Sequence, residues 1–223
     1  MTPACPDPRL IRIVVTGFNR FPGAPVNPTA VLALRLVRSR RAALAGVHVA
    51  AHVFATRYQA VDADLPAVLA REQPDALIIF GVATRAKHVR VELLARNRKS
   101  ILFPDAGGAT DLSLAIAPGS FPARRGRFAL PAVVAALRTA GLRAAVSRDA
   151  GRYLCNYAYW RALERAEQPD GPRVVLFVHV PPVGTAPRPL RRARPRRLPA
   201  ADLAKAGEAL LLAATAMVRS QSV

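Results

Sequence analysis

The sequence predicts an α/β fold of three layers, in which a mostly parallel, twisted sheet is covered by helices on both faces. Apolar, β-branched runs alternate along the chain with segments of helical periodicity, and this alternation is typical of βαβ units. Two runs, residues 75–82 and 173–180, are apolar almost throughout, as expected of parallel strands buried on both faces. A chain of 223 residues can bury one sizeable core, so we expect residues 1–223 to form a single domain.

The elements are predicted in chain order from their patterns and boundaries. Residues 10–18 form a first strand, because they are a β-branched apolar run with a glycine near its end, and Asn27 begins a helical pattern that lasts to about residue 44. Further strands are expected at residues 47–55, 75–82, 90–97, 143–147 and 173–180, and further helices at residues 63–72, 130–140, 152–167 and 200–219. Residues 99–127 are rich in Gly, Pro and Ser and show little periodicity, which predicts a loop. We also expect frayed ends at residues 1–9 and 220–223 and a basic loop at residues 186–199.

Charge is the most conspicuous feature of the composition. A net charge of +19 would attract nucleic acid or anionic lipid without specificity at low salt. However, the chain holds 30 Arg, only 3 Lys and 20 Pro, a bias that a GC-rich genome produces without selection for binding. The densest basic cluster, residues 188–197, is interrupted by prolines and has no aromatic residue to stack on bases. Nucleic-acid binding, non-specific if it occurs at all, is therefore kept as a minor alternative.

The apolar runs, the N-terminal segment and the cysteines limit the compartment in which the protein is expected and the chemistry that its site can use. No stretch approaches the roughly 20 apolar residues that span a bilayer, and residues 1–8 lack the layout of a secretory signal. We therefore expect a soluble, cytoplasmic protein with no membrane partner. The two cysteines, Cys5 and Cys155, provide neither a disulfide framework nor a metal-ligand cluster, so a free thiol is available and no metal is expected.

Cys155 and His179 are the candidates for nucleophilic chemistry. Cys155 falls near the start of a predicted helix, where unpaired amides and the helix dipole favour a thiolate. His179 is at the end of a predicted strand, where it could meet that helix. The other histidines are less suitable, because His48 and His52 lie on or near an interior strand and His88 is in a basic loop. Taken alone, a buried Cys is more often a small apolar core residue, and a strand-end His is more often a hydrogen-bonded core residue.

Glu92 is the candidate for orienting the histidine. It is the only acid between Asp75 and Asp105 and lies in an apolar context, which could hold a carboxylate beside an imidazole and select the tautomer of that imidazole. It could equally be a surface residue paired with Arg90.

Four motifs occur in an order that resembles the pyroglutamyl-peptidase I family, peptidase family C15. The first is TGFNRFPGAPVNPT at residues 16–29, similar to the family's opening signature. The second is residues 75–97, where Glu92 follows Gly81 by eleven residues. AVSRDAGRYLCNYAYW at residues 145–160 is similar to the nucleophile motif, and LFVHVP at residues 176–181 resembles the histidine motif. The matches span most of the chain, and the 24 residues from Cys155 to His179 fit the family.

The resemblance implies removal of an N-terminal pyroglutamyl residue from blocked peptides by acyl transfer to a thiolate, without metal or organic cofactor. Cys155 would attack, His179 would carry the proton and Glu92 would hold the imidazole. Amides near Cys155 would stabilise the oxyanion.

The resemblance also implies a set of substrate-binding residues. Phe18 and Phe21 would be apolar walls for an uncharged lactam ring, although both could instead be ordinary core residues. Tyr153 and Leu154 would complete the pocket, and the backbone of Val82 would hold the lactam amide.

Three departures from the family pattern concern substrate recognition. Val82 replaces a Gln in a turn that has lost its glycines, Leu102 replaces an Arg, and an arginine-rich stretch follows His179. The alternative function is therefore a divergent member with altered specificity or lost turnover that binds peptides or acyl ligands. A homo-oligomer is a further possibility, since the apolar face of the terminal helix could serve either the core or an interface.

Overall fold

The computed structural model describes residues 10–21, 24–100, 113–183 and 198–221. Its strands are β1 Ile11–Phe18, β2 Val47–Phe54, β3 Ala76–Val82, β4 Val89–Glu92, β5 Leu94–Arg96, β6 Ala123–Arg125, β7 Ala144–Ser147 and β8 Val174–Val180. Its helices are α1 Pro28–Leu36, α2 Arg40–Leu44, α3 Tyr58–Glu72, α4 Leu130–Thr139, α5 Leu154–Arg165 and α6 Ala200–Ser220.

Six strands form the main sheet in the order β2-β1-β3-β8-β4-β7, and β5 pairs with β6 in a separate two-stranded sheet. β1, β2, β3 and β8 are mutually parallel, whereas β4 runs antiparallel to β8 and parallel to β7. The predicted mostly parallel α/β sheet is confirmed. The antiparallel junction between β8 and β4 brings the end of β8 beside β4 at the centre of the site described below.

The sheet is covered on both faces, as predicted. Side chains alternate along each strand, so that Ile13 and Val15 of β1 enter one apolar cluster while Val14 enters the other. The first cluster contains residues of α1, α4 and α6, and the second contains residues of α3 and α5. The α3/α5 face carries the candidate site residues.

The helix predicted from Asn27 to about residue 44 is wrong in its length. α1 ends at Leu36 and α2 begins at Arg40, because Ser39 caps the second helix with its hydroxyl accepting from the amide of Ala42. Serine at such a position competes for backbone donors and favours a new helix start. α3, in turn, begins at Tyr58, five residues earlier than predicted.

Two further expectations are corrected. Residues 123–125 lie within the segment predicted as loop, but they form β6, which pairs antiparallel with β5. A strand of three residues is too short to show the alternation of apolar and polar side chains by which a strand is predicted. His48 and His52, expected on or near an interior strand, lie on the edge strand β2, which pairs with the interior strand β1.

The terminal helix packs into the core along its apolar face. Leu203, Leu210, Leu211 and Met217 are all buried there, so their side chains serve the core. Ser220 is the last residue of α6 and Gln221 its C-cap, where fraying was predicted. The predictions for residues 1–9, for the basic cluster at 188–197 and for Leu102 lie outside the described residues. Within the described ranges, no helix is long and apolar enough to cross a membrane.

Candidate active site

Three elements bring the candidate residues to one place. Cys155 is the second residue of α5, His179 is the penultimate residue of β8, and Glu92 is the last residue of β4. β4 and β8 are neighbours, with Glu92 opposite Phe177, and α5 covers the face of the sheet to which Phe177 contributes. The residues therefore converge although 87 positions separate Glu92 from His179.

The carboxylate and the imidazole form a buried pair. His179 Nδ1 lies 2.8 Å from Glu92 Oε1, and the side chains are 7% and 0% exposed. With Nδ1 donating to the carboxylate, Nε2 is the ring nitrogen left for chemistry. Arg90 Nη2 also donates to Glu92 Oε1, at 3.0 Å. Glu92 is thus neither a surface residue nor a partner of Arg90 alone.

Gly81 provides the space in which the thiol and the imidazole meet. This residue is opposite His179 in the parallel β3–β8 pair. A Cβ built on it would lie 3.0 Å from Cys155 Sγ and 3.1 Å from His179 Cδ2. Sulfur and ring therefore approach the same point above a residue that has no side chain. Cys155 is partly exposed.

The environment of His179 favours its protonated form. Burial lowers its pKa, but hydrogen bonds with Cys155 and Glu92, together with their negative charges, outweigh burial and raise the pKa to about 9. At neutral pH the imidazole is consequently a cation beside the sulfur.

The start of α5 supplies hydrogen-bond donors next to the sulfur. Tyr153 is the N-cap and makes no side-chain capping bond. The amides of the first helical turn have no partner within the helix, and they lie where the helix dipole is positive. These amides can donate to an oxyanion that forms on a carbonyl attacked by Cys155.

The predicted pocket residues divide into two groups. Phe21 and Tyr153 are half-buried and face one another with ring centroids 6.1 Å apart. Phe18 and Leu154 are buried in the apolar cluster beneath α5. Val82 follows Gly81 on β3, so its side chain points to the opposite face and only its backbone is available to the cleft.

Several residues that hold the site together were missed by sequence reasoning. Tyr159 donates its hydroxyl to the backbone oxygen of Glu92 at 2.9 Å. Asn156 accepts from the amide of Arg96 and donates to the carbonyls of Arg96 and Arg98. The available signal was a polar side chain directly after Cys155 in a segment that is otherwise aromatic and apolar. In the described part of the chain, no group of three or more His, Cys, Asp and Glu residues could hold a metal ion.

A thiol, an imidazole and a carboxylate arranged in this way on an α/β sheet define a cysteine-nucleophile hydrolase site. The family model of pyroglutamyl peptidase, peptidase C15, matches residues 11–219. The chain therefore belongs to the pyroglutamyl peptidase family of cysteine peptidases.

Individual relatives agree with this assignment. The chain is 32% identical over 171 residues to a pyrrolidone-carboxylate peptidase of Gloeobacter violaceus, covering 77% of this chain and 82% of that protein. Its fold is similar to a pyrrolidone carboxyl peptidase structure from Thermus thermophilus, with a TM-score of 0.74, 32% identity and coverage of 88% and 97%. The corresponding structure from Thermococcus litoralis has a TM-score of 0.86 over 95% of this chain and 96% of that one, at 23% identity, and supports the fold alone.

Proposed function

We propose that this protein is a cysteine exopeptidase that hydrolyses the bond after an N-terminal pyroglutamyl residue of a peptide. The observation that carries the proposal is the convergence of Cys155, His179 and Glu92 at the end of β8 in a member of this family. The substrate class comes from the family and from the names of the relatives, which are pyrrolidone-carboxylate peptidases.

The proposed reaction has two acyl-transfer steps. In the first, the Cys155 thiolate attacks the pyroglutamyl carbonyl carbon, the C–N bond breaks, and the His179 imidazolium gives its proton to the departing amine. In the second, water attacks the resulting thioester, His179 takes a proton from that water, and pyroglutamate leaves as Cys155 returns to thiolate. Amides at the start of α5 hold the oxyanion in both steps.

Glu92 acts on the imidazole and does not touch the substrate. Its bond to Nδ1 selects the tautomer and orientation in which Nε2 faces the sulfur, and its charge stabilises the imidazolium. A rate that needs the imidazolium proton is expected to fall as the pH rises through about 9, where His179 loses that proton.

Phe21 and Tyr153 are proposed to contact the lactam ring, because both are half-buried aromatics and Phe21 packs near Tyr153, the N-cap of the nucleophile helix. Phe18 and Leu154 would support the pocket from the core. The backbone of Val82 would bond the lactam amide. The alternative of a divergent relative that binds ligands without turnover is supported by the turn at residues 82–85, which has no glycine in this chain.

The test is release of a fluorescent amine from a pyroglutamyl amide. Cys155→Ser and His179→Ala are expected to lower kcat/KM by at least about 10³-fold, and Glu92→Gln by about 10–100-fold. His52→Ala is the matched control, because His52 also bonds a carboxylate, Asp64, at 3.1 Å, but on the edge strand β2. We expect it to retain the wild-type rate.

Two outcomes separate the alternatives. If wild-type protein releases no amine while Cys155 is still alkylated readily by iodoacetamide, the divergent-relative alternative replaces the peptidase. If Cys155→Ser retains activity, the thiol mechanism is wrong. Cys5→Ser serves as the background for alkylation, since it leaves Cys155 as the only cysteine.

Three finer predictions accompany this proposal. A cytoplasmic location is proposed from the composition of the chain. Self-association is the open alternative to a monomer, and sedimentation velocity over a range of concentrations tests it. Binding of nucleic acid is proposed to be non-specific if it occurs.

A further inference from the structure

Arg90 contacts three parts of the site through a single nitrogen. Its Nη2 lies 3.0 Å from each of three acceptors: Glu92 Oε1, Ser147 Oγ and the backbone oxygen of Asp149. Glu92 belongs to β4, Ser147 ends β7, and Asp149 is in the loop that leads to α5. One side chain therefore links the carboxylate to the loop that precedes the nucleophile.

Strand register explains why Arg90 can do this. In the antiparallel β4–β8 pair, Arg90 is directly opposite His179, and directly opposed residues share a face of the sheet. Glu92 is two positions further along β4, so its side chain is on the same face. Arg90, Glu92 and His179 consequently form one cluster on the α5 side of the sheet.

The contacts at Glu92 are concentrated on one oxygen. Oε1 accepts from both Arg90 and His179, whereas Oε2 is buried and has no hydrogen-bond partner within the described part of the chain. Without Arg90, the carboxylate could rotate and offer His179 either oxygen. The guanidinium favours the orientation in which Oε1 faces Nδ1.

The charge of Arg90 also acts on the imidazolium. Around His179 in the described structure, Cys155 from α5 and Glu92 from β4 raise its pKa, Arg90 from β4 pairs with Glu92, and the Tyr159 hydroxyl is bonded to the Glu92 backbone. Cys155 and Glu92 favour the imidazolium. Arg90 is a cation whose Nη2 contacts the same carboxylate oxygen as His179 Nδ1, and a neighbouring positive charge disfavours a second one.

We propose that Arg90 is a positioning residue of the reaction. It orients the Glu92 carboxylate against His179 and fixes that carboxylate to the loop before Cys155. Its positive charge also limits how strongly the Glu92 carboxylate stabilises the protonated imidazole. This inference rests on the proposed peptidase function for its kinetic part. Its electrostatic part concerns the His179 ring alone and is measurable without turnover.

The experiment compares Arg90→Met and Arg90→Lys with Arg173→Met. Arg173 is the matched control, because its side chain is 36% exposed against 34% for Arg90 and it bonds a carboxylate, Asp75, at 2.9 Å. It precedes the start of β8, whereas His179 is near the end of that strand. Two properties are measured for each variant: turnover of a pyroglutamyl amide, and the NMR titration of the His179 ring, assigned as the signal absent from His179→Gln.

Arg90→Met is expected to lower kcat about tenfold with KM within about twofold of wild type, and to raise the His179 titration midpoint by about half a unit. Arg90→Lys keeps the charge and should retain the wild-type midpoint and most of kcat. Arg173→Met should change neither. If Arg90→Met does not fold, Arg90→Gln removes the charge while keeping a hydrogen-bond donor, and its midpoint should also rise.

An unchanged midpoint in Arg90→Met or Arg90→Gln would overturn the inference, as would equal kinetic losses in the Arg90 and Arg173 variants. Absence of wild-type turnover would overturn the proposed function instead, and the NMR titration would still decide the role of Arg90.

Discussion

At Gly81 the sheet has no side chain, and three groups of the site occupy the space that this leaves. A Cβ there would lie 2.8 Å from Phe177 Cζ, 3.0 Å from Cys155 Sγ and 3.1 Å from His179 Cδ2. Contacts this short require the neighbours to move, and both reactive groups are among them. The thiol and the imidazole can approach one another above β3 because position 81 is a glycine.

Gly81→Ala is therefore expected to reduce kcat about 100-fold while the protein remains folded, because a displacement of a few tenths of an ångström in both groups disturbs their alignment. Steady-state kinetics and a thermal unfolding curve provide the measurement. Gly207→Ala is the control: a Cβ at Gly207 would lie 2.8 Å from Leu36 Cδ1, a flexible side chain on the opposite face of the sheet. That variant should lose stability and keep kcat, and equal kcat values in the two variants would contradict the argument.

The residues proposed to carry the chemistry were easier to find in the sequence than the residues that support them. Cys155, His179 and Glu92 each occur in a recognisable local motif, and the structure brings these three side chains together. Arg90 entered the sequence reasoning only as the partner of a surface glutamate. Its role depends on the antiparallel register between β4 and β8. No local sequence pattern indicates whether a strand runs parallel or antiparallel to its neighbour in the sheet.

Among the elements, α5 shows how a helix is fixed in place at a reactive residue. Asn156 follows Cys155 and is fully buried. Its side chain makes three hydrogen bonds to the backbone of residues 96 and 98, each between 2.8 and 2.9 Å. A buried amide that satisfies both its donors and its acceptor fixes the rotation of α5 relative to β5, and with it the direction of Cys155.

Asn156→Ala is expected to lower the free energy of unfolding by about 2–3 kcal/mol, because it removes three hydrogen bonds to the backbone of Arg96 and Arg98. Urea denaturation at pH 7 measures this change. Asn156→Asp keeps the shape but removes both amide donors and buries a charge, so it should be the more destabilised variant. Stability of both variants within about 0.5 kcal/mol of wild type would show that this contact does not hold the helix.

Element prediction failed where tertiary context decided the outcome. β6 has only three residues and exists because β5 offers it a partner, so no sequence period could reveal it. The break between α1 and α2 did have a local signal, Ser39, which caps the second helix. The apolar pattern continued through the break and concealed that signal.

At the scale of the whole molecule, alternation of strands and helices was sufficient for the fold class but not for the strand order. The sheet places β8 between β3 and β4, so a strand late in the chain separates two consecutive ones. That arrangement joins His179 to Gly81 on one side and to Arg90 and Glu92 on the other. Pairings between such distant segments depend on packing of the complete chain.

Net charge is the other property of the whole molecule that has a measurable consequence. The chain has 33 Lys and Arg but only 14 Asp and Glu, which leaves a net charge of +19 even if every acid is paired with a base. Several acids are so paired in the structure, for example Asp75 with Arg173 and Glu92 with Arg90. The excess cations therefore act as a general positive field, which attracts polyanions without reading their sequence.

If random-sequence duplex DNA binds at 50 mM salt, its affinity is expected to fall by about 10³-fold or more at 200 mM, as counterion release requires for six or more phosphate contacts. Fluorescence anisotropy of several unrelated labelled duplexes measures this loss. Alkylation of Cys155 should leave the binding unchanged, because the active-site thiol has no part in it. Tight binding of one duplex that persists at 200 mM salt while the others dissociate would contradict the general-field explanation and indicate a specific nucleic-acid site.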